Sequence, residues 1–128
     1  MVDRDENWIN YLQKVDPSAT MLSQKSEVFD LFNHATGEAV SGRVLNTLSV
    51  NYMENPQRIF WSIKDHIDEA AYNTPVVESD MDPAKIRSRT IHLAIRGLTS
   101  PAQWPYLFSA ILHGKVSGVR LVITRIKD

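Results

Sequence analysis

Hydrophobic positions along the chain change period several times, and each change marks an element. Over Asp5–Val15, Trp8, Ile9, Tyr11, Leu12 and Val15 fall within one arc of a helix, with Asn7, Asn10, Gln13 and Lys14 outside it. Asp5 and Glu6 suit the positive end of its dipole, and Pro17 ends it by pushing Asp16 out of the helical region.

From Glu27 to Met53 aromatic and β-branched residues dominate. "EVFDLFN" and "RVLNTLSVNYM" read as two strands, with a glycine-containing turn at "HATGE" between them. In the second, Val44, Leu48, Val50 and Tyr52 share one face, and Arg43, Thr47, Ser49 and Asn51 share the other. A short helix over Ser26–Asn33, capped by Ser26, is the alternative for the first run.

"NPQRIFWSIKDHIDEAAYN" is the clearest helix. Asn55 caps it, Pro56 takes a first-turn position where the missing N–H costs nothing, and Ile59, Phe60, Ile63, Ile67, Ala70 and Ala71 form its apolar arc. "TPVVESDMDPAK" then reads as a mobile loop. "TIHLAIRGL" alternates, with Ile91, Leu93 and Ile95 on the core side. "SPAQWPYLFSAILHG" is a helix that buries Trp104, Leu107, Phe108, Ile111 and Leu112 and closes at Gly114, and "GVRLVITRI" is a last strand. Two strands joined by such a helix form a βαβ unit, parallel with a right-handed crossover. The sum is a single α+β domain over residues 1–128. It has a roughly four-stranded mixed sheet, made of an N-terminal hairpin plus the C-terminal βαβ unit, and three helices mostly on one face.

Charge adds a division that the net value of −1 conceals. The acidic part, 1–83, holds fourteen acids against six bases; the basic part, 84–128, holds eight bases against Asp128 alone. Such asymmetry points to a polyanionic partner or to charge-complementary assembly, with neutralisation between the halves as the competing reading. The sheet face away from the helices would present Thr90, His92, Ala94 and Arg96 beside Arg120, Val122 and Thr124. Arg87, Arg89, His92, Arg96, Arg120, Arg125 and Lys127 are therefore the candidate anion-binding residues. Without aromatics to stack bases, such a face would hold RNA, DNA or an anionic membrane surface through phosphates, with little sequence preference. Trp61 points away from its helix's apolar arc, among Lys64, Asp65 and Asp68, and Tyr106 is similarly out of phase. Trp61, Tyr106, Asp65 and Asp68 form a candidate protein interface.

The candidate chemistry is thin. Without cysteine there is no disulfide, thiolate metal site or cysteine nucleophile, and the five glycines form no phosphate-binding loop. The Asp-x-Asp pairs in "DRDEN" and "ESDMDP" lack the rest of a calcium loop, and no second His–carboxylate pair accompanies His66 and Glu69, so neither a metal nor a cofactor is expected. No apolar run approaches the roughly 20 residues of a membrane span, and the acidic N-terminus is unlike a signal peptide, which implies a cytoplasmic protein. These features favour a non-enzymatic interaction protein that self-associates as a dimer, in the manner of small viral or phage accessory proteins. The alternatives are a sequence-nonspecific nucleic-acid-binding protein and a small enzyme built on an anion-binding His/Arg cluster around His92.

Overall fold

The computed structural model describes residues 2–22, 28–72 and 83–127. In chain order the elements are β1 (Asp3–Arg4), α1 (Glu6–Val15), β2 (Ala19–Met21), β3 (Leu31–Asn33), β4 (Glu38–Leu45), α2 (Val50–Glu54), α3 (Gln57–Tyr72), β5 (Ser88–Arg96), α4 (Trp104–Ser117) and β6 (Arg120–Ile126). The described residues form a single α+β domain with a mixed sheet of six strands, in the order β2-β3-β4-β5-β6 with β1 also on β4, and four α-helices. The sheet is larger than the four strands the periodicity implies, because β1 and β2 are too short to leave a repeating pattern.

β4 is the central strand. Along one edge it pairs in parallel with β5, from Glu38↔Ser88 to Leu45↔Ile95, and β5 in turn pairs in parallel with β6, as the βαβ reading requires. Along its other edge β4 changes partner. The antiparallel β3 covers it from Glu38 to Val40, and β1 takes over at Arg43 and Val44.

Helices cover both faces rather than one. On the first face α3 and α4 bury Ile59, Ile63, Ile67, Leu107 and Ala110 against Ile91, Leu93, Ile95 and Leu121. On the second, α1 lays Ile9 and Leu12 over Leu31 and Val40. Gly42 permits this approach, since a Cβ there would stand 3.0 Å from Ile9 and 3.1 Å from Leu12. Trp8 reaches as far as β5 and donates its ring N–H to the His92 carbonyl at 3.0 Å. The face expected to lie open is thus partly roofed, with Thr90 and Ala94 fully buried. Within α1 only Ile9 and Leu12 are buried, while Tyr11 and Val15 remain exposed.

Three elements depart from the periodicity. The strand expected over Arg43–Met53 begins earlier, at Glu38, and stops at Leu45. The Asn46 side chain accepts the Leu48 N–H, its carbonyl accepts the Ser49 N–H, and α2 starts at once. In α4 the inward residues are Leu107, Ala110 and Gly114, with Tyr106 packed against the core, whereas Phe108 and Leu112 are 56% and 63% exposed. The helix also runs past Gly114 to a left-handed cap at Gly118. Gly114 lies inside the helix because the Val119 carbonyl would stand 2.6 Å from any Cβ there. Leu31–Asn33 is strand; Ser26, Glu27 and most of the loop expected between Thr74 and Lys85 lie outside the described residues.

Candidate active site

The change of partner along β4 leaves one gap in its ladder, at Gly42. Asp30, just before β3, fills it: its backbone N–H still bonds the Val40 carbonyl, and its side-chain Oδ2 accepts the Gly42 N–H at 2.8 Å. The same oxygen accepts from Arg43 Nη1 at 2.6 Å, and Oδ1 accepts from Arg4 Nε at 2.8 Å. Asp30 is 2% exposed and Arg43 6%, so this is a buried ion pair, reached from outside by Arg4, which also touches Glu6 at 3.4 Å. Arg43 is fixed further by its bonds to the Gly42 and Val28 carbonyls. Each charge is therefore held in one geometry.

Two residues before Arg43 and on the same face of β4, Ser41 meets His66 of α3, with Oγ and Nε2 2.8 Å apart. His66 Nδ1 lies 3.7 Å from Glu69. Burial, reinforced by the Arg43 charge, lowers the His66 pKa to about 4, so the ring is neutral at physiological pH. A pocket of about 450 Å³ opens over this group, lined by Val2, Arg43, Ser62, Asp65, His66 and Glu69. One solvent-facing recess thus gathers a fixed guanidinium, a neutral imidazole bonded to a hydroxyl, and carboxylates. Such a set can bind a phosphate and move a proton.

The residues expected to form an anion face are dispersed. Arg87, Arg89 and Arg120 line one cleft where β4, β5 and β6 begin. Arg89 turns to the α3 side, donating to the Ala70 carbonyl at 2.7 Å and lying over the Phe29 ring. Arg125 donates to the Gly97 carbonyl at 2.5 Å and lies over Trp104. His92 is half-buried, and burial lowers its pKa against an upward pull from Glu38. Arg96 and Lys127 sit at the far ends of β5 and β6. Of the expected interface, Trp61 is exposed beside Asp65, and Asp68 is engaged by Lys64 at 2.7 Å and His113 at 2.8 Å, both of which lower its pKa. Tyr106 packs inward.

Residues 4–124 match the model of the CDI toxin restriction endonuclease-like domain. The chain belongs to that family. It is 32% identical over 126 residues to the deoxyribonuclease CdiA of Yersinia pseudotuberculosis serotype O:3 (strain YPIII), covering 94% of this chain and 11% of that protein. To the deoxyribonuclease CdiA-o11 of Escherichia coli O157:H7 (strain EC869) it is 32% identical over 122 residues, covering 94% of this chain and 32% of that one. The chain therefore spans only a minor part of the curated relatives it matches. Among solved structures, the CdiA-CT/CdiI toxin and immunity complex from Yersinia pseudotuberculosis superposes with a TM-score of 0.82 at 31% identity, over 94% of this chain and 98% of that one.

Membership of this family overturns the expectation of a non-enzymatic, self-assembling protein, and with it the comparison to viral or phage accessory proteins and to RNA binders, since the relatives are bacterial deoxyribonucleases. The expected homodimer gives way as well, because the similar structure is a complex of a toxin with a different chain, its immunity protein. Asp30 and Glu6 take Arg4 and Arg43 as partners from within the acidic half, and Asp68 takes Lys64 from the same half and His113 from the basic one. Among the described residues no helix is long and apolar enough to cross a membrane.

The pocket over Arg43 and His66, with Asp30 buried behind it, does not stand out in sequence because these residues look ordinary there. Asp30 is one acid in an apolar run, and alternation over Arg43–Met53 puts Arg43 on a solvent face. The legible signal is "EAVSGRVL" itself, where a strand buried on both faces shows no alternation and its arginine must find a buried acid.

Proposed function

We propose that this domain cuts DNA by hydrolysing phosphodiester bonds at the pocket over Arg43 and His66, which the buried Asp30 braces, and that a dedicated immunity protein restrains it. The observation that carries the reading is the buried Asp30–Arg43 pair at the β4 gap, beside Ser41 and His66, in a chain of a restriction endonuclease-like family. Diester hydrolysis needs positive charge on the non-bridging oxygens, a group to take the proton of the attacking water, and a proton for the leaving oxygen. Arg43 and the more exposed Arg4 supply the charge, and Asp30 holds both guanidinium groups in place. Neutral His66, held by Ser41, is the group placed to take the proton of the attacking water; its lowered pKa weakens it as a base and makes the imidazolium, once formed, quick to pass that proton to the leaving oxygen.

Glu6 and Asp30 offer the hard oxygen ligands that a divalent cation takes, but Asp30 is committed to two guanidinium groups and a backbone N–H. Among the described residues no group of three or more His, Asp or Glu is poised to hold a metal. The residues as arranged do not fit a resident ion, and no step is routed through one. Acting on DNA, the domain would work in the cytoplasm.

The test is cleavage of supercoiled plasmid by the purified domain, in chelator and with magnesium, manganese or zinc supplied. The expected result is nicked and linear DNA from the wild type and none from folded Asp30→Asn or Arg43→Ala. Inhibition by an equimolar cognate immunity protein, with RNA left intact throughout, would complete the case. A folded wild type that leaves DNA whole under every condition would overturn it.

A further inference from the structure

The cleft where β4, β5 and β6 begin has a volume of about 670 Å³ and is lined by Glu38, Arg87, Thr90, Lys115 and Arg120, among others. Four cations line it, Arg87, Arg89, Lys115 and Arg120, against a single carboxylate among the described residues; Arg89 donates to the Ala70 carbonyl, and Glu38 accepts the Thr90 hydroxyl at 3.1 Å. Arg87, Lys115 and Arg120 are exposed and have no carboxylate partner among the described residues. Lys115 has an adequate structural reason for its charge, lying in the last turn of α4 where a cation complements the helix dipole. The two arginines have none of that kind.

Their placement is fixed by backbone. The two positive-φ residues among those described are Gly37 (φ 76°) and Gly118 (φ 79°). Gly37 accepts the Arg87 N–H at 2.8 Å, and the Arg87 stem lies so close over it that a Cβ would stand 2.8 Å from Arg87 Cγ. Gly118 ends α4 and turns the chain so that the Val119 N–H bonds the Gly114 carbonyl at 2.8 Å, delivering Arg120 to the cleft two residues later. Both left-handed turns, which only glycine makes without strain, thus aim an arginine at one recess.

We infer that this cleft is a second anion site, which holds backbone phosphates of the DNA beyond the scissile bond. The inference rests on the DNA-cutting reading and extends it. Ala39 pairs with Arg89 at the cleft's end of the sheet, and Arg43 lies four residues further along β4. At about 3.3 Å per residue that is roughly 13 Å along the strand, and Arg120 on β6 lies two further strand spacings of about 4.8 Å to the side, so the two sites stand on the order of 16 Å apart. At about 3.4 Å of duplex axis per base pair, a site of roughly five base pairs spans that distance. The cleft's contacts are to phosphate, and they add affinity and register without reading bases.

The test measures binding of a fluorescent duplex with a hydrolysis-resistant, fully charged phosphorothioate backbone across a range of salt concentrations. Removing one cation that neutralises a phosphate should reduce the slope of log K against log salt by about one unit, because one fewer counterion is released. The combined variant Arg87→Gln, Lys115→Gln, Arg120→Gln should flatten the slope by about two to three units and bind much more weakly at low salt. Glu38→Gln should bind more tightly. Should the combined variant melt early, Lys115→Gln alone, at an exposed helical position, must still flatten the slope by about one unit. A wild type that cuts DNA while the variants keep its slope and affinity would overturn the second site, leave the nuclease reading standing and turn the cleft over to an acidic protein ligand. A wild type that neither binds nor cuts DNA would overturn both.

Discussion

Asp30 Oδ2 lies 2.6 Å from Arg43 Nη1 and accepts the Gly42 N–H at 2.8 Å, so one carboxylate oxygen both closes the β4 ladder and neutralises a buried arginine. Stability and the proposed chemistry meet in this contact. Breaking a buried pair from one side leaves an uncompensated charge, which costs about 3–5 kcal/mol. Arg43→Ala should therefore lower unfolding free energy by about 3 kcal/mol in urea melts and abolish plasmid cleavage. Arg43→Lys keeps the cation but loses the planar fork, and should recover part of both. A fully stable, fully active Arg43→Ala would show that the pair is incidental.

His66 makes stability depend on pH. Its folded pKa, about 4, lies below its ordinary value of 6.5, because burial and then Arg43 oppose its charge. The unfolded chain therefore binds the extra proton first, and stability falls as pH drops from about 6.5 towards 4. The loss is at most about 3 kcal/mol, taking about 1.4 kcal/mol per pKa unit. Urea midpoints at a series of pH values should trace this decline, and His66→Gln should flatten it.

Gly42 is where α1 closes on the sheet. A methyl group there would press on Ile9 and Leu12 at 3.0 and 3.1 Å, so Gly42→Ala should cost about 1–3 kcal/mol by pushing the helix outward. The displacement should also weaken the Trp8 bond to the His92 carbonyl, visible as a shift in tryptophan emission. Unchanged emission with unchanged stability would mean that α1 is less closely seated.

Trp61 is exposed, whereas Ile63, two residues on, is sealed beneath α3. Trp61→Ala should move the unfolding free energy by no more than about 0.5 kcal/mol, and Ile63→Ala by about 2–5 kcal/mol. Paired thermal melts decide this directly, and comparable losses would mean that Trp61 is covered in solution.

Periodicity in the sequence is enough to specify α1, α3, the β5–α4–β6 unit and its parallel pairing, because each rests on local rules: an apolar arc of helical period, a proline at a helix end, alternation along a strand. The buried residues Ile59, Ile63, Ile67, Ile91, Leu93 and Ile95 follow from the same patterns. What the sequence could not determine is whatever depends on two distant segments meeting. The phase of α4 escapes periodicity because an apolar helix nearly all round offers no contrast, and only the packing of Leu107, Ala110 and Gly114 selects its inner face. The covering of the second sheet face depends on α1 and on the missing side chain of Gly42, more than twenty residues apart. The pocket depends on Asp30 entering a gap that exists only because β3 and β1 share one edge of β4. A buried charge announces itself in sequence only as an ordinary charge; its partner, its desolvation and hence its chemistry arise when tertiary contacts exclude water from both.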